Sequence, residues 1–239
     1  MARRTLSEQA DAQNRLLAAL PAGELSRLRP SLTTTTLEFR RRLEVPGKPP
    51  THVYFPWSGV CSLTAAMEDG RIIEVATIGN EGVVGMFAYF GSQLPDALTV
   101  VQVPGAGADA MRVRTFVAEM DRRGPLYHLV RRYSQALLAL IMQTAACNAL
   151  HDVEQRCARW LLMTHDRIRH DRFRLTQEYL AAMLAVRRPS VTVVARKLQR
   201  EGMIAYRRGE IFILNRRQLE SQSCECYRVV QAHFERLLP

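Results

Sequence analysis

The sequence predicts an α+β fold, with a strand-rich N-terminal half and a helical C-terminal half. Short runs rich in β-branched residues recur between Gly and Pro turns until about residue 104. From residue 126 onward the apolar residues follow helical spacing instead. We therefore expect three parts: a small antiparallel β-barrel or sandwich over residues 1–123, one long helix over 124–150, and a further domain over 151–239.

Turn residues separate the predicted strands of the first part. Asp69-Gly70 stands between two apolar runs and predicts a tight hairpin, because Gly readily adopts the positive φ of such a turn. A short helix over residues 9–20 precedes the strands. The predicted strands are residues 32–39, 52–56, 59–67, 72–78 and 97–103. Strands at this spacing are typical of a small barrel or sandwich.

The predicted long helix begins after Gly124-Pro125 and carries apolar residues at alternating spacings of four and three. Such a heptad stripe has to be buried, either against its own domain or against a second copy of the chain. We favour the second interpretation, a homodimer. The predicted dimer interface comprises Leu126, Val130, Tyr133, Leu137, Leu140, Thr144 and Cys147.

The charge is unevenly distributed along the chain. The net charge is +10, and residues 151–217 alone contribute +8, from 15 basic and 7 acidic residues. A concentration of this kind is typical of a phosphate-binding surface, although a solubilised arginine-rich surface would give the same total. The sequence offers no apolar run long enough to cross a membrane and no secretory leader, so we expect a cytoplasmic protein without a membrane partner.

Residues 174–217 predict a winged helix-turn-helix. Thr176 is a suitable N-cap for a first helix, Pro189 opens a second one, and Gly202 ends it. A hairpin with the basic tip Arg207-Arg208 follows and forms the wing. The second helix of such a motif can enter the major groove of double-stranded DNA. The predicted DNA-binding residues are Arg187, Arg188, Ser190, Thr192, Val193, Arg196, Lys197, Arg207 and Arg208.

The order of these parts resembles the CRP/FNR family of bacterial transcription regulators. The most specific matching segments are residues 175–203, the glycine-punctuated run 79–85, and Tyr54-Phe-Pro-Trp-Ser-Gly. The resemblance implies a jelly-roll barrel of the cyclic-nucleotide-binding type, a dimerisation helix and a winged helix-turn-helix. It also implies a homodimer that binds a near-palindromic operator, with RNA polymerase as a further partner.

The sequence departs from the family pattern in two places. Family members that bind cyclic AMP have a Gly-Glu pair and, about ten residues later, an Arg-Ser or Arg-Thr pair. Here Met86 follows Gly85, and Asp96 stands where the arginine would be, so Arg71 is the remaining candidate to bind a phosphate. We therefore expect a degenerate effector pocket that does not bind cyclic AMP in the usual way. The base-reading positions of the family fall on Arg188, Pro189 and Val193, of which only the arginine is retained.

The remaining motifs predict neither an enzyme nor a resident cofactor. We find no nucleophile elbow, no His-Glu-x-x-His and no P-loop. The five cysteines are too scattered for a disulfide framework, and Cys224-x-Cys226 with a histidine such as His233 is a weak metal signal. We expect packing cysteines and no metal. The alternative function is a small-molecule or redox sensing module that acts through protein partners instead of DNA.

Overall fold

The computed structural model describes residues 13–91 and 97–238. Its helices are α1 (Arg15–Ala18), α2 (Ala22–Leu28), α3 (Val113–Asp121), α4 (Pro125–Leu150), α5 (Val153–Ile168), α6 (Gln177–Met183), α7 (Arg188–Arg200), α8 (Arg216–Gln222) and α9 (Cys226–Leu237). Its strands are β1 (Leu32–Thr35), β2 (Arg42–Glu44), β3 (His52–Pro56), β4 (Val60–Ala66), β5 (Ile72–Ile78), β6 (Leu98–Val103), β7 (Ala108–Arg112), β8 (Arg172–Arg174), β9 (Ile204–Arg207) and β10 (Glu210–Ile213).

The N-terminal strands form two open antiparallel sheets. One has the order β1-β7-β3 and the other the order β2-β6-β4-β5. Buried residues of both sheets, such as Phe55 and Leu63, belong to one continuous hydrophobic core that also includes residues of the later helices. The α+β class and the β-rich first part are thus confirmed.

Most of the predicted strands are present with shifts of a few residues. The strands 52–56 and 72–78 match β3 and β5, and the Asp69-Gly70 hairpin joins β4 to β5, with φ +80° at Gly70. Of the predicted helix over 9–20, residues 9–12 lie outside the described part of the chain, and within residues 13–20 only α1 is helical. Two strands of the N-terminal sheets, β2 and β7, have no counterpart among the predicted ones.

The long helix α4 begins at Pro125, where a missing amide hydrogen costs nothing because the first-turn amides have no helical partner. The glycine-punctuated run 79–85, which follows β5, lets the side chains of α4 and α5 approach its backbone closely. A Cβ atom at Gly82 would collide with the ring of Tyr133 on α4, and one at Gly79 with the side chain of Arg167 on α5.

Helix α5 is fastened to the second sheet by buried polar contacts. The indole Nε1 of Trp160 donates to Glu74 Oε1 at 2.7 Å, and Arg167 Nη2 lies 2.8 Å from Glu81 Oε1. The last helix, α9, returns to pack along α4, where the rings of Phe234 and Tyr133 lie 6.5 Å apart. None of the described helices combines the length and hydropathy needed to span a membrane.

Candidate nucleic-acid interface

The helix-turn-helix is formed by α6 and α7. Thr176 caps α6, because its Oγ1 accepts from the amide of Tyr179 at 3.2 Å. The chain then reverses through Ala185, whose φ of +51° is unusual for a residue other than glycine. Helix α7 starts at Arg188, so Pro189 occupies its second position instead of the predicted first. This turn sets the angle between the two helices.

Helix α7 has one buried face and one exposed face. Val191, Val194 and Leu198 pack into the domain, as the i, i+3, i+7 spacing predicts. The opposite face presents Arg188, Ser190 and Arg196 to solvent. Val193 lies among them and is 67% exposed.

Two of the predicted DNA-binding side chains already have partners within the chain. The Thr192 hydroxyl donates to Gln177 Oε1 at 2.8 Å and thereby joins α7 to α6. Lys197 Nζ lies 2.8 Å from Glu154 Oε2 on α5, and this hydrogen bond raises the pKa of the lysine. Both residues therefore hold α7 in place, and the charge of Lys197 is largely compensated.

The wing is the hairpin of β9 and β10. Arg208 and Gly209 form its tip with φ values of +51° and +78°, the left-handed pair of a type I′ turn. The side chains of Arg207 and Arg208 are exposed there. Strand β8, which the sequence does not predict, pairs with β10, and Arg172 binds both carboxylate oxygens of Glu210 at 2.8 Å.

Together, α7 and the wing concentrate positive charge on one part of the surface. Two acidic side chains of this region, Glu154 and Glu210, are paired with Lys197 and Arg172 and not with the arginines of this surface. We call the exposed arginines of α7, its N-cap and the wing the basic reading surface. It comprises the exposed residues Arg187, Arg188, Arg196, Arg200, Arg207 and Arg208.

The predicted dimer-interface stripe of α4 faces the interior of its own chain. All seven of its side chains are buried within the single chain, from 0% exposed for Tyr133 and Cys147 to 8% for Thr144. The structure therefore corrects this assignment: Leu126, Val130, Tyr133, Leu137, Leu140, Thr144 and Cys147 pack against the chain's own core and α9. The heptad pattern identified the buried side of the helix but not its partner.

Three of the four residues predicted for a degenerate effector pocket are described, and they lie in different surroundings. Gly85 has φ +89°, and Met86 is buried, with its sulfur 3.5 Å from Ser134 Oγ on α4. Arg71 instead lies on the exposed β4–β5 turn, where its Nε is 2.7 Å from Asp69 Oδ2. Asp96 lies outside the described residues.

The β4–β5 hairpin meets the helix-turn-helix across a cleft of about 940 Å³. Arg71 lines the hairpin side of the cleft, and Ala181, Ala182 and Arg187 line the other. Nearby, Arg40 lies over the ring of Tyr179 on α6, with its Cζ atom 5.0 Å from the ring centroid. The β-rich part thus contacts the helix-turn-helix directly.

The cysteines are distributed differently from the sequence expectation. Cys147, Cys224 and Cys226 are buried and meet the side chain of His151, whereas His233, the histidine that the sequence suggests, lies beside Arg236. The sequence carries two signals for this group: Cys147 stands four residues before His151, and Cys224 and Cys226 form a Cys-x-Cys pair. Nothing in the sequence shows that they meet.

Comparison with known proteins agrees with this architecture. Residues 155–222 match the family model of the Crp-like helix-turn-helix domain. A CRP-family transcriptional regulator from Thermus thermophilus superposes with a TM-score of 0.65 at 19% identity, covering 79% of this chain and 96% of that one. The chain has the CRP/FNR fold. No curated protein sequence matches it.

Two other structures with this fold are also distant in sequence. FixK2 from Bradyrhizobium japonicum gives a TM-score of 0.65 at 14% identity and covers 81% of this chain and 98% of that one. The c-di-GMP responsive global regulator CLP from Xanthomonas campestris gives 0.61 at 19% identity, covering 82% and 100%. The predicted resemblance is confirmed.

Proposed function

We propose that the protein is a transcription regulator that binds specific double-stranded DNA as a homodimer. The observation that carries the proposal is the basic reading surface, which lies on the exposed side of α7 and on the wing of a Crp-like helix-turn-helix domain. A helix presented in this way fits the major groove, and a basic wing fits the neighbouring phosphates. Residues 1–123 would be the sensor part, 124–150 the dimerisation helix and 151–239 the DNA-binding part.

The roles within the reading surface follow from position and chemistry. Arg187, Arg188 and Ser190 at the start of α7 would contact base edges, and Val193 a thymine methyl group. Arg196, Arg207 and Arg208 would contact phosphates without regard to sequence. Thr192 and Lys197 contribute by positioning α7, because their polar atoms are bound to Gln177 and Glu154.

The exposed side of α4 supplies the surface for the homodimer. Leu138 is 57% exposed and Met142 65%, and Ala145 and Ala149 continue the same stripe at spacings of three and four. Two antiparallel or parallel copies of such a stripe form a coiled-coil seam. A two-fold pair would present two α7 helices about 34–36 Å apart, one turn of DNA.

We propose that effector control acts through the contact between the β-rich part and the DNA-binding part. The buried position of Met86 argues against cyclic AMP held in the usual way, because the thioether offers no strong acceptor for a ribose hydroxyl. The Glu74–Trp160 and Glu81–Arg167 contacts join the two parts. Any effector would shift the population of orientations that α7 adopts relative to the β-rich part. A regulator bound near a promoter would recruit or exclude RNA polymerase.

The test is fluorescence anisotropy of the full chain with duplex DNA from its own upstream region and with random duplex. We expect tighter binding to the upstream duplex. If six or more phosphates are neutralised, affinity falls by about a thousandfold or more between 50 and 200 mM salt. An Arg228→Ala variant, which removes an exposed arginine on α9, is the control and should bind normally. Absence of binding at low salt would favour a module that acts through protein partners.

A further inference from the structure

Four side chains with metal-binding chemistry converge where the end of α4 meets the start of α9. Cys147 lies in the last turn of α4, His151 follows that helix, and Cys224 and Cys226 lie at the beginning of α9. One ligand atom of each residue lies within 4.8 Å of every other. The three cysteines are buried, and His151 is partly so.

The spacing of these atoms suits a single tetrahedral ion. Zinc binds cysteine sulfur at about 2.3 Å and histidine nitrogen at about 2.0–2.1 Å, which places neighbouring ligand atoms roughly 3.6–3.8 Å apart. The Sγ atoms of Cys147 and Cys224 are 3.5 Å apart, and Cys226 Sγ is 3.5 Å from His151 Nδ1. We propose that Cys147, His151, Cys224 and Cys226 bind one Zn²⁺ ion.

Polar neighbours orient the ligands as they do around known metal centres. His151 Nε2 lies 3.2 Å from Glu225 Oε2, so the carboxylate holds the ring with Nδ1 turned toward Cys226. A histidine held by a carboxylate through its second nitrogen is the usual arrangement for a zinc ligand. Gln143 Nε2 donates to Cys226 Sγ at 3.0 Å, a contact that stabilises a thiolate.

Two buried arginines supply the charge that this centre requires. Three thiolates and Zn²⁺ carry a net charge of −1, since histidine binds as a neutral ligand. Arg156 and Arg159 are 8% and 6% exposed, and both interact electrostatically with Cys147. Arg156 Nε and Arg159 Nε and Nη1 have no hydrogen-bond partner among the described residues. An anionic metal centre compensates buried cations that would otherwise be costly.

The geometry favours one ion over the two other uses of clustered cysteines. An iron–sulfur cluster holds several iron and sulfide ions between its ligands and so spreads them further apart than this group is spread. A disulfide between Cys147 and Cys224 would require the sulfurs to move from 3.5 Å to about 2.0 Å. It would also leave Cys226, His151 and the histidine-orienting Glu225 without a role.

The ion would join elements that are distant in sequence. It would tie the end of α4 to α9 at the junction where α4 leads into α5, and all four of its ligands come from the protein. A closed site of this kind stabilises the fold, because the unfolded chain cannot present the four ligands together. The inference does not depend on DNA binding.

The experiment is metal analysis of the full chain, purified under reduction, incubated with Zn²⁺ and freed of excess metal. We expect one zinc per chain. Substitution with Co²⁺ should give the visible bands of a tetrahedral ion together with thiolate-to-cobalt charge transfer. Chelation should lower the thermal midpoint and make three thiols newly reactive. Cys226→Ser and His151→Ala should each weaken zinc binding at least tenfold.

The matched control is the double variant Cys61→Ala/Cys157→Ala, which removes the two buried cysteines outside the group. Burial raises the pKa of both thiols to about 12, so they stay protonated, and this variant should still bind one zinc. Should the ligand variants fail to fold, the cobalt spectrum and thiol reactivity of the unaltered chain decide the question. Substoichiometric zinc with Cys147, Cys224 and Cys226 reactive, a Cys147–Cys224 disulfide, or iron with sulfide would each overturn the proposal.

Discussion

At the residue scale, Glu74 is the clearest case of a buried charge that links the two halves of the molecule. Its carboxylate accepts from Trp160 of α5 and from the Ser62 hydroxyl at 2.5 Å, and the residue is 6% exposed. Loss of hydration on burial raises its pKa from 4.5 to about 7, against the opposing effect of these two donors. The folded state therefore holds a proton on Glu74 more tightly than the unfolded state does.

This difference predicts a pH-dependent stability. Because the folded pKa is the higher one, the free energy of unfolding falls as pH rises from about 4.5 to about 7 and then stays low. Glu74→Gln removes the charge, and its amide oxygen can still accept from Trp160 while its NH2 group donates to the Ser62 hydroxyl oxygen. We expect the variant to be more stable than the parent at pH 8, by on the order of 3 kcal/mol, and nearly equal to it at pH 5.

Urea unfolding of both chains at pH 5 and pH 8 measures this effect. The control is Glu68→Gln in the exposed β4–β5 turn, which should follow the parent at both pH values. If Glu74→Gln and the parent differed equally at both pH values, the buried charge would not be the cause.

The arginines of the reading surface should divide into two functional classes. Arg188→Ala removes a guanidinium group at the start of α7. We expect it to lose about 1–3 kcal/mol of binding free energy on the operator and to relax the sequence specificity. Arg207→Ala removes a positive charge from the wing. The affinity for all DNA sequences should therefore fall by the same factor, and the slope of log affinity against log salt concentration should decrease by about one. Anisotropy titrations on operator and random duplex distinguish the two. Equal losses on both duplexes for Arg188→Ala would contradict the division.

At the element scale, the sequence predicts those strands and helices whose pattern is local. Strand β5 is rich in β-branched residues and is predicted at its observed bounds. Strand β7, Ala-Asp-Ala-Met-Arg, has no β-branched residue, and it is extended because it pairs with both β1 and β3 at the centre of its sheet. Both partner strands lie more than 50 residues before β7 in the sequence. Local strand propensity therefore does not predict β7.

Helix α4 shows the same limit, since it has an inward and an outward stripe. The inward stripe has the stronger apolar pattern and packs within the chain, while the outward one carries Leu138 and Met142. Substituting Leu138→Glu and Met142→Glu together should convert the dimer into a monomer while changing the stability of the subunit by less than about 0.5 kcal/mol. Sedimentation equilibrium and urea unfolding measure the two quantities.

The inward stripe provides the contrasting variant. Leu137 is 1% exposed, so Leu137→Ala leaves a cavity in the core. The variant should cost about 2–5 kcal/mol of subunit stability and leave the dimer dissociation constant unchanged. Dimer loss with Leu137→Ala but not with the paired glutamates would show that the inward stripe forms the interface after all.

At the scale of the whole molecule, the candidate site is predictable where it is contiguous in sequence. The reading surface lies within residues 187–208, so the charge pattern and the helix signals of that one segment are enough to locate it. The internal partners of Thr192 and Lys197, and the meeting of Cys147 with Cys224, depend on contacts between distant segments. Tertiary packing alone determines them.

The most direct test of the account is the stoichiometry and footprint of the complex with duplex DNA from the chain's own upstream region. We predict two chains per duplex by sedimentation velocity. Hydroxyl-radical footprinting should show two protected half-sites about one helical turn apart, related by a two-fold axis. A single chain per duplex, or one uninterrupted footprint without half-sites, would contradict the claim that paired α4 helices present two copies of α7.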